Sequence, residues 1–312
     1  MSTEVKIEQI IKFLEKKHDF SFIGNEKESV NGFSTLFNYK ENTMTFVSSL
    51  LKFRDYTELF REKKIALIIT DSTEAIYDCF LNVIQLKNPK NAFFSILDQF
   101  FEENFDNNLF VATSDSNICK KYTYISDEAV IGQNVKIGFG CVIEGNVYIG
   151  DNTYIHHNVV IMNKTKIGRN CTIFSGTIIG ERGFNPSISE DGGRRMLKHY
   201  GGVTIEDDVH IGDNCCIIRG AIDDTIIKMG AKLNTMVHIA HNCVIGENTV
   251  ITAPTHICGS VTIGENCHIA ASVIRNQCNV GDGAIIGLGA VVVKDVSAGE
   301  TVIGNPAKPI IK

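Results

Sequence analysis

From position 125 onward the chain sets one apolar residue every six. Isoleucine stands at 125, 131, 137, 143, 149, 155, 161, 167, 173 and 179 without a break. A second register holds Ile205, Ile211 and Ile217, and a third runs Leu233, Ile239, Ile245, Ile251, Ile257, Ile263 and Ile269. After a slip of one residue come Val280, Ile286 and Val292. A period of six is neither helical nor simple strand alternation. Glycine often follows the aliphatic residue, as in IGQN, IGFG, IGDN, IGRN and IGEN, with Asn or Gly at the fourth place. Both tolerate positive φ, so each hexad predicts a short strand and a corner. Three corners would close a triangular coil of about 18 residues, with coils stacked about 4.8 Å apart by backbone hydrogen bonds. About nine such coils predict a prism roughly 40–45 Å long.

The place four after each aliphatic residue is small, as at Cys141, Val147, Thr153, Cys171, Cys215, Cys243 and Cys267. We expect this place to point inward too, where a narrow prism admits only compact side chains. Half of the 10 cysteines then become core residues, and no C-x-x-C pair argues for a zinc or disulfide framework. The fold class is therefore mainly β, a parallel β-helix over residues 111–312. Residues 182–202 (RGFNPSISEDGGRRMLKHYGG) break the period and must loop out of the prism, a common place for function on a rigid scaffold. Arg219–Thr225 is a shorter slip between registers.

Residues 1–110 show no hexad. Ile7, Ile10, Ile11 and Leu14 fit one face of a helix. Met44–Ser48, Ile65–Thr70 and Cys79–Lys87 read as strands, and Ala92–Phe101 as an amphipathic helix. A small α/β domain is the expectation. The formal net charge of −6 argues against a dedicated nucleic-acid binder. The first twenty residues lack the unbroken apolar core of a secretion signal, and no stretch approaches the length of a membrane span, which points to the cytoplasm.

Chemistry must lie outside an apolar prism. His210, His238, His256 and His268 each precede an inward aliphatic residue and so should face outward. His238 and His256 are 18 apart and should stack; a metal pair there lacks a third ligand at coil spacing, so no metal site is expected. His241 has a different register, two residues after Ile239 and next to a corner. There an imidazole is either plain solvated surface or a base that takes a proton from an attacking amine.

The segments GAIDDTII and KLNTMVHIAHNCVIGENT closely resemble the UDP-3-O-acylglucosamine N-acyltransferase family of lipid A synthesis. TIFSGTIIGERGF, KHYGGVTI, TFVSSLLKF and KNPKNAFFSIL extend the resemblance over nearly the whole chain. It implies a left-handed β-helix, a homotrimer with active sites in the clefts between chains, and an N-terminal domain that holds a nucleotide-linked amino sugar. The family's catalytic base falls on His241. Where the family usually has Asp-Asn before the His motif, this chain has Asn234 and Thr235, so Asn234 takes the place of the supporting carboxylate. The nucleotide-stacking segment becomes Phe46 to Phe53, with Ser49 inside it, and Asn88 lies in the second matching stretch of that domain. The family's second site histidine aligns with Gln277.

The C-terminal GLGAVVVKDVSAGETVIGNPAKPIIK instead resembles coenzyme A-dependent hexapeptide acetyltransferases of surface-sugar synthesis. That resemblance implies a pantetheine arm passing Gly287 and Gly289, and Lys308 against a phosphate; Gly259 and Gln277 complete the acyl-donor set, with a backbone N–H near Gly259 or in an adjacent coil as the candidate oxyanion donor. The leading expectation is an N-acyltransferase using acyl-CoA as co-substrate, with no bound cofactor. The nearest rival is the lipid A enzyme using acyl carrier protein. More distant rivals are a metal-dependent lyase on the same helix and a silent sugar-nucleotide binding scaffold.

Overall fold

A computed structural model describes residues 4–48, 62–71, 80–101 and 123–309. They fall into two compact units: Met1–Phe110 with Phe184–Lys198, and Val111–Gly183 with His199–Lys312.

The second unit is a parallel β-helix with three flat faces. The first face has nine strands, from Tyr124–Ile125 to Val291–Val292. The second has eight and begins at Val130–Ile131, and the third has ten and begins at Lys136–Ile137. The third face closes with Thr301–Ile303 and the antiparallel strand Lys308–Pro309. Successive coils align Ile161 with Ile179 and Ile239 with Ile257. The single-residue slip falls where Ile257 pairs with Ile274 instead of with position 275.

The hexad's two inward places behave as their sizes require. Ile143, Ile161, Ile211, Ile239 and Ile257 have no exposed surface, each contributing roughly 1.5–3 kcal/mol by burial. The small inward residues are buried as well, but they are not inert filler. Thr153, Thr177 and Thr249 donate their hydroxyls to Gly168, Gly212 and Gly264 carbonyls of the next coil, at 2.9, 2.7 and 2.8 Å. Cys171, Cys215, Cys243 and Cys267 make the same kind of bond through sulfur, each at 3.1 Å. Cys and Thr recur at one place because each is compact and carries one donor. Burial holds the Cys243 thiol up at about 12 and those of Cys171 and Cys215 at about 11, so they stay protonated. At the corners, Asn134, Asn146, Asn152, Asn158 and Asn170 adopt φ of +55 to +58°, which is why Asn recurs in the fourth place.

In the first unit, helix α1 (Ile7–Leu14) buries Ile7, Ile10 and Leu14. Strands β1 (Phe20–Ile23), β2 (Met44–Val47), β3 (Leu67–Thr70) and β4 (Val83–Leu86) form one sheet in the order β1-β4-β3-β2. The first pair is antiparallel and the other two are parallel. Helix α2 (Pro89–Phe100) buries Phe93, Phe94, Ile96 and Leu97. Strand β1, which alternates half-buried and exposed residues, gave too short a pattern to be read from sequence. The excursion from the prism folds as a hairpin, Pro186–Ile188 against Arg194–Met196, and packs within this unit. Arg195 reaches Ser95 at 3.1 Å and Asp98 at 3.0 Å, and Lys90 reaches Asn185 at 2.8 Å. Among the described residues no helix is long and apolar enough to cross a membrane.

The inward bond sets a prediction. Cys215→Thr keeps the volume and the donor and should shift stability by less than about 1 kcal/mol, whereas Cys215→Leu should cost about 1–3 kcal/mol through overpacking. Urea midpoints check this; equal midpoints for the two variants would contradict it.

Candidate active site

Both interruptions of the hexad fall on one corner, the one leading from the first face to the second. The excursion leaves after Ile178–Glu181 and returns at Val203–Ile205. One coil further, Cys216–Ile218 and Thr225–Ile227 are joined by a connection several residues longer than a regular corner. The next coil places His241 on that corner, between His238–Ile239 and Val244–Ile245.

The long connection supplies His241 with its support. Ala221 N–H donates to Asn242 Oδ1 at 3.0 Å, and Asn242 Nδ2 donates to the Asp223 carbonyl at 3.3 Å. Those two partners fix which end of the carboxamide is oxygen. The same Oδ1 lies 3.1 Å from His241 Nδ1, so Nδ1 must be the donor and Nε2 carries the lone pair. Asn242 is itself anchored by its N–H to Thr225 Oγ1 at 2.9 Å and sits at φ +59°. On the other side of the ring, one coil on, lies Gly259. A Cβ there would fall 2.6 Å from His241 Cε1 and 2.7 Å from Nε2, so only glycine leaves the imidazole this room. A second imidazole, that of the buried His199, stands edge-to-face to His241 with ring centroids 5.2 Å apart. Close by, the buried Arg219 donates to Asn163 through both terminal nitrogens, at 3.0 Å to Oδ1 and 3.1 Å to the carbonyl.

The structure brings His241 together with Asn242 and Gly259, not with Asn234. Asn234 is exposed on a different corner, between the third and first faces, and its Oδ1 accepts the Thr235 N–H at 2.7 Å. Within one chain Asn234 instead shares the corner of Gly287 and Gly289; Asn242, next to the histidine, reads from sequence as an ordinary fourth-place corner residue. The acyl-donor candidates separate as well. Gln277 shares the corner of His241, its N–H donating to the Gly259 carbonyl at 3.0 Å. Gly287 and Gly289 follow Ile285–Ile286 on the corner that Asn234 occupies, and Lys308 is exposed on the returning end strand.

His238 and His256 stack on the first face as their spacing predicts, with centroids 4.5 Å apart and rings 16° from parallel. Among the described residues no group of three or more His, Cys, Asp or Glu could hold a metal ion. Burial, and then His256, push His238 below the ordinary imidazole value. His238 Nδ1 and Ser272 Oγ are buried polar atoms without a hydrogen-bond partner among the described residues. Both residues line a cavity of about 340 Å³ that Gly289, Met236, Pro254 and Val291 also border.

In the first unit, Phe46 at the end of β2 is half-buried against Phe93, with centroids 4.8 Å apart, and Phe94. It does not border a cavity of about 1120 Å³ in this unit, which Asn88 lines with Lys16, Lys17, His18, Lys87 and Arg194. Ser49 and Phe53 lie outside the described residues.

The repeat is recognised as "Bacterial transferase hexapeptide (six repeats)", matching residues 128–163 and 146–181. Residues 128–181 thus carry a hexapeptide repeat, and the β-helix they belong to resembles LpxA-like left-handed β-helix structures. More particularly, over about a third of its length the chain is similar to proteins named UDP-3-O-acylglucosamine N-acyltransferase. One from Caulobacter sp. (strain K31) is 41% identical over 115 residues, 36% of this chain and 34% of the relative. Another from Wolinella succinogenes is 38% identical over 128 residues, 41% of this chain and 40% of the relative. The matches thus span little more than a third of these relatives' length. Among solved structures, LpxA from Acinetobacter baumannii is 29% identical with a TM-score of 0.55, covering 60% of this chain and 71% of that one. LpxA from Bacteroides fragilis, a UDP-N-acetylglucosamine acyltransferase, is 28% identical with a TM-score of 0.55, covering 60% and 72%.

The depressed imidazoles set a pH dependence. His238, and His210 through burial and then Lys232, bind protons less readily folded than unfolded. Stability is therefore fully present above the ordinary histidine value near 6.5 and falls as pH drops below it toward the folded values. The urea midpoint should decrease between pH 7 and pH 5, and His238→Gln should flatten that decrease. An unchanged slope in the variant would contradict the assignment.

Proposed function

We propose that the chain is an N-acyltransferase that moves an acyl group from a thioester to the amine of a nucleotide-linked amino sugar, with His241 as base. One observation carries this reading: the carboxamide of Asn242 holds Nδ1–H, which leaves the Nε2 lone pair of His241 beside the bare backbone of Gly259. The amine nitrogen attacks the thioester carbonyl carbon while Nε2 takes its proton. The resulting imidazolium keeps its Nδ1–H on Asn242 Oδ1. Collapse of the tetrahedral adduct breaks the C–S bond, and the imidazolium returns the proton to the leaving sulfur. Gly259 N–H, which donates to no acceptor among the described residues, would meet the developing oxyanion.

The names of the relatives favour UDP-3-O-acylglucosamine over other amino sugars as acceptor. The first unit would hold its nucleotide, with the Asn88 cavity and its basic rim suited to phosphates. For the donor, Gly287 and Gly289 in the last coils and the exposed Lys308 support acyl-CoA, Lys308 meeting a phosphate as a point charge. Acyl carrier protein is the rival donor. The cavity at Gly289, with two buried polar atoms in want of partners, suits the amides of a pantetheine arm. Within one chain Gly289 and His241 occupy different corners, so a homotrimer would complete each site from two prisms.

His241→Ala should lower kcat by about 10²–10⁴-fold while nucleotide-sugar binding persists. Assays pairing UDP-3-O-acylglucosamine with acyl-CoA or acyl carrier protein check both the reaction and the donor. Full activity in the variant would refute the base, and light scattering that gave a monomer would refute the shared site.

A further inference from the structure

The β-helix is left after Gly183 and rejoined at His199, and both ends of that excursion meet at one imidazole. His199 is 1% exposed. Its Nδ1 lies 3.2 Å from the Gly183 N–H and 3.2 Å from the Arg219 carbonyl. A Cβ on Gly183 would overlap His199 Cε1, so glycine at 183 makes room for a ring at 199. The chain that follows is zipped to the long connection: Tyr200 N–H bonds the Ala221 carbonyl at 2.9 Å, and Gly202 N–H bonds Asp224 Oδ1 at 2.7 Å. Ala221 therefore anchors both neighbours of His241. Its N–H holds Asn242, and its carbonyl holds the segment that carries His199.

We infer that His199 is the positioning residue of His241. A histidine ring has a broad, roughly two-fold χ2, and one hydrogen bond from Nδ1 leaves it free to swing or turn over. Gly259, which admits the ring, has no side chain to stop it. His199 supplies a wall, set edge-to-face at 77° with centroids 5.2 Å apart. Edge-to-face pairing fixes a ring plane, and it holds the Nδ1–H of His241 on Asn242 and Nε2 toward the open side. Because its Nδ1 accepts from the Gly183 N–H and its ring is buried, the wall does not yield when the catalytic imidazole takes up a proton.

The inference rests on His241 as the base, so its test reads the imidazole directly as well as the reaction. In the full-length protein carrying ¹⁵N-histidine, with His241 assigned by the signal lost in His241→Gln, the wild type should show one tautomer, protonated at Nδ1. In His199→Ala and His199→Gln the His241 signals should move toward a tautomer average. Gln offers Gly183 N–H an acceptor but no ring, and it guards against a collapsed fold in the alanine variant. In both, kcat should fall about tenfold with each KM within twofold of wild type, as expected for a misaligned group. An unchanged His241 signal in two folded variants, or an unchanged kcat beside a shifted signal, would overturn the inference. A shifted signal in a protein whose wild type transfers no acyl group would uphold the positioning and count against the acyl-transfer reading alone.

Discussion

Everything at the corner of His241 depends on the backbone ladder between coils. Neighbouring coils exchange backbone hydrogen bonds in both directions, as in Ala240 N–H to the Ile257 carbonyl at 2.9 Å and Ser260 N–H back to the His241 carbonyl at 2.8 Å. The ladder fixes which residue lies over which, and the inward Ile column leaves it little freedom to slip, because a one-residue shift would bring outward residues such as His238 into the core. A side chain at a corner is thereby placed by its count along the chain. Gly259 lies over His241 for that reason, and a bare backbone meets the imidazole without any loop having to fold around it.

Against this regular frame, the departures are where polar groups can gather. A normal corner spends its backbone groups on the coils above and below. The long connection through Gly220–Asp224 has groups to spare, and it turns them on Asn242, on the segment that follows His199 and, through Asp224, on the Thr204 hydroxyl at 2.8 Å. The site is thus a regular residue, His241, held by irregular neighbours. The hairpin that leaves the same corner carries its own ion pair to α2 and belongs structurally with the first unit.

Much of the β-helix was legible because its physics is periodic. Ile at every sixth place and Asn at positive φ can be read from spacing alone. The same spacing predicted the stack of His238 on His256 and the inward thiols, though not that those thiols hydrogen-bond to the next coil. The two breaks in period were visible too, but the contacts they make were not. His199 and Ala221 act through distances set by where the excursion returns, and no local pattern records that. Asn242 was hidden for the opposite reason, since it obeys the corner rule while doing something else. Asn234, aligned to a family place, lies within one chain on the corner of Gly287 and Gly289. In the first unit α1, α2 and three of the four strands followed from apolar patterning, whereas Phe46 proved to be packed against α2 and apart from the Asn88 cavity.

The central claim is that Nε2 of His241 is the open, unprotonated nitrogen that faces the attacking amine beside the thioester carbonyl. A haloacetyl analogue of the acyl thioester donor reads this most directly, because it alkylates the nucleophilic atom nearest the carbonyl position. Peptide mapping should find a single adduct on His241 at Nε2, suppressed when the amino-sugar acceptor is present. Labelling at Nδ1, at half-buried Cys216 or Cys258, or at no residue of this corner would contradict the account.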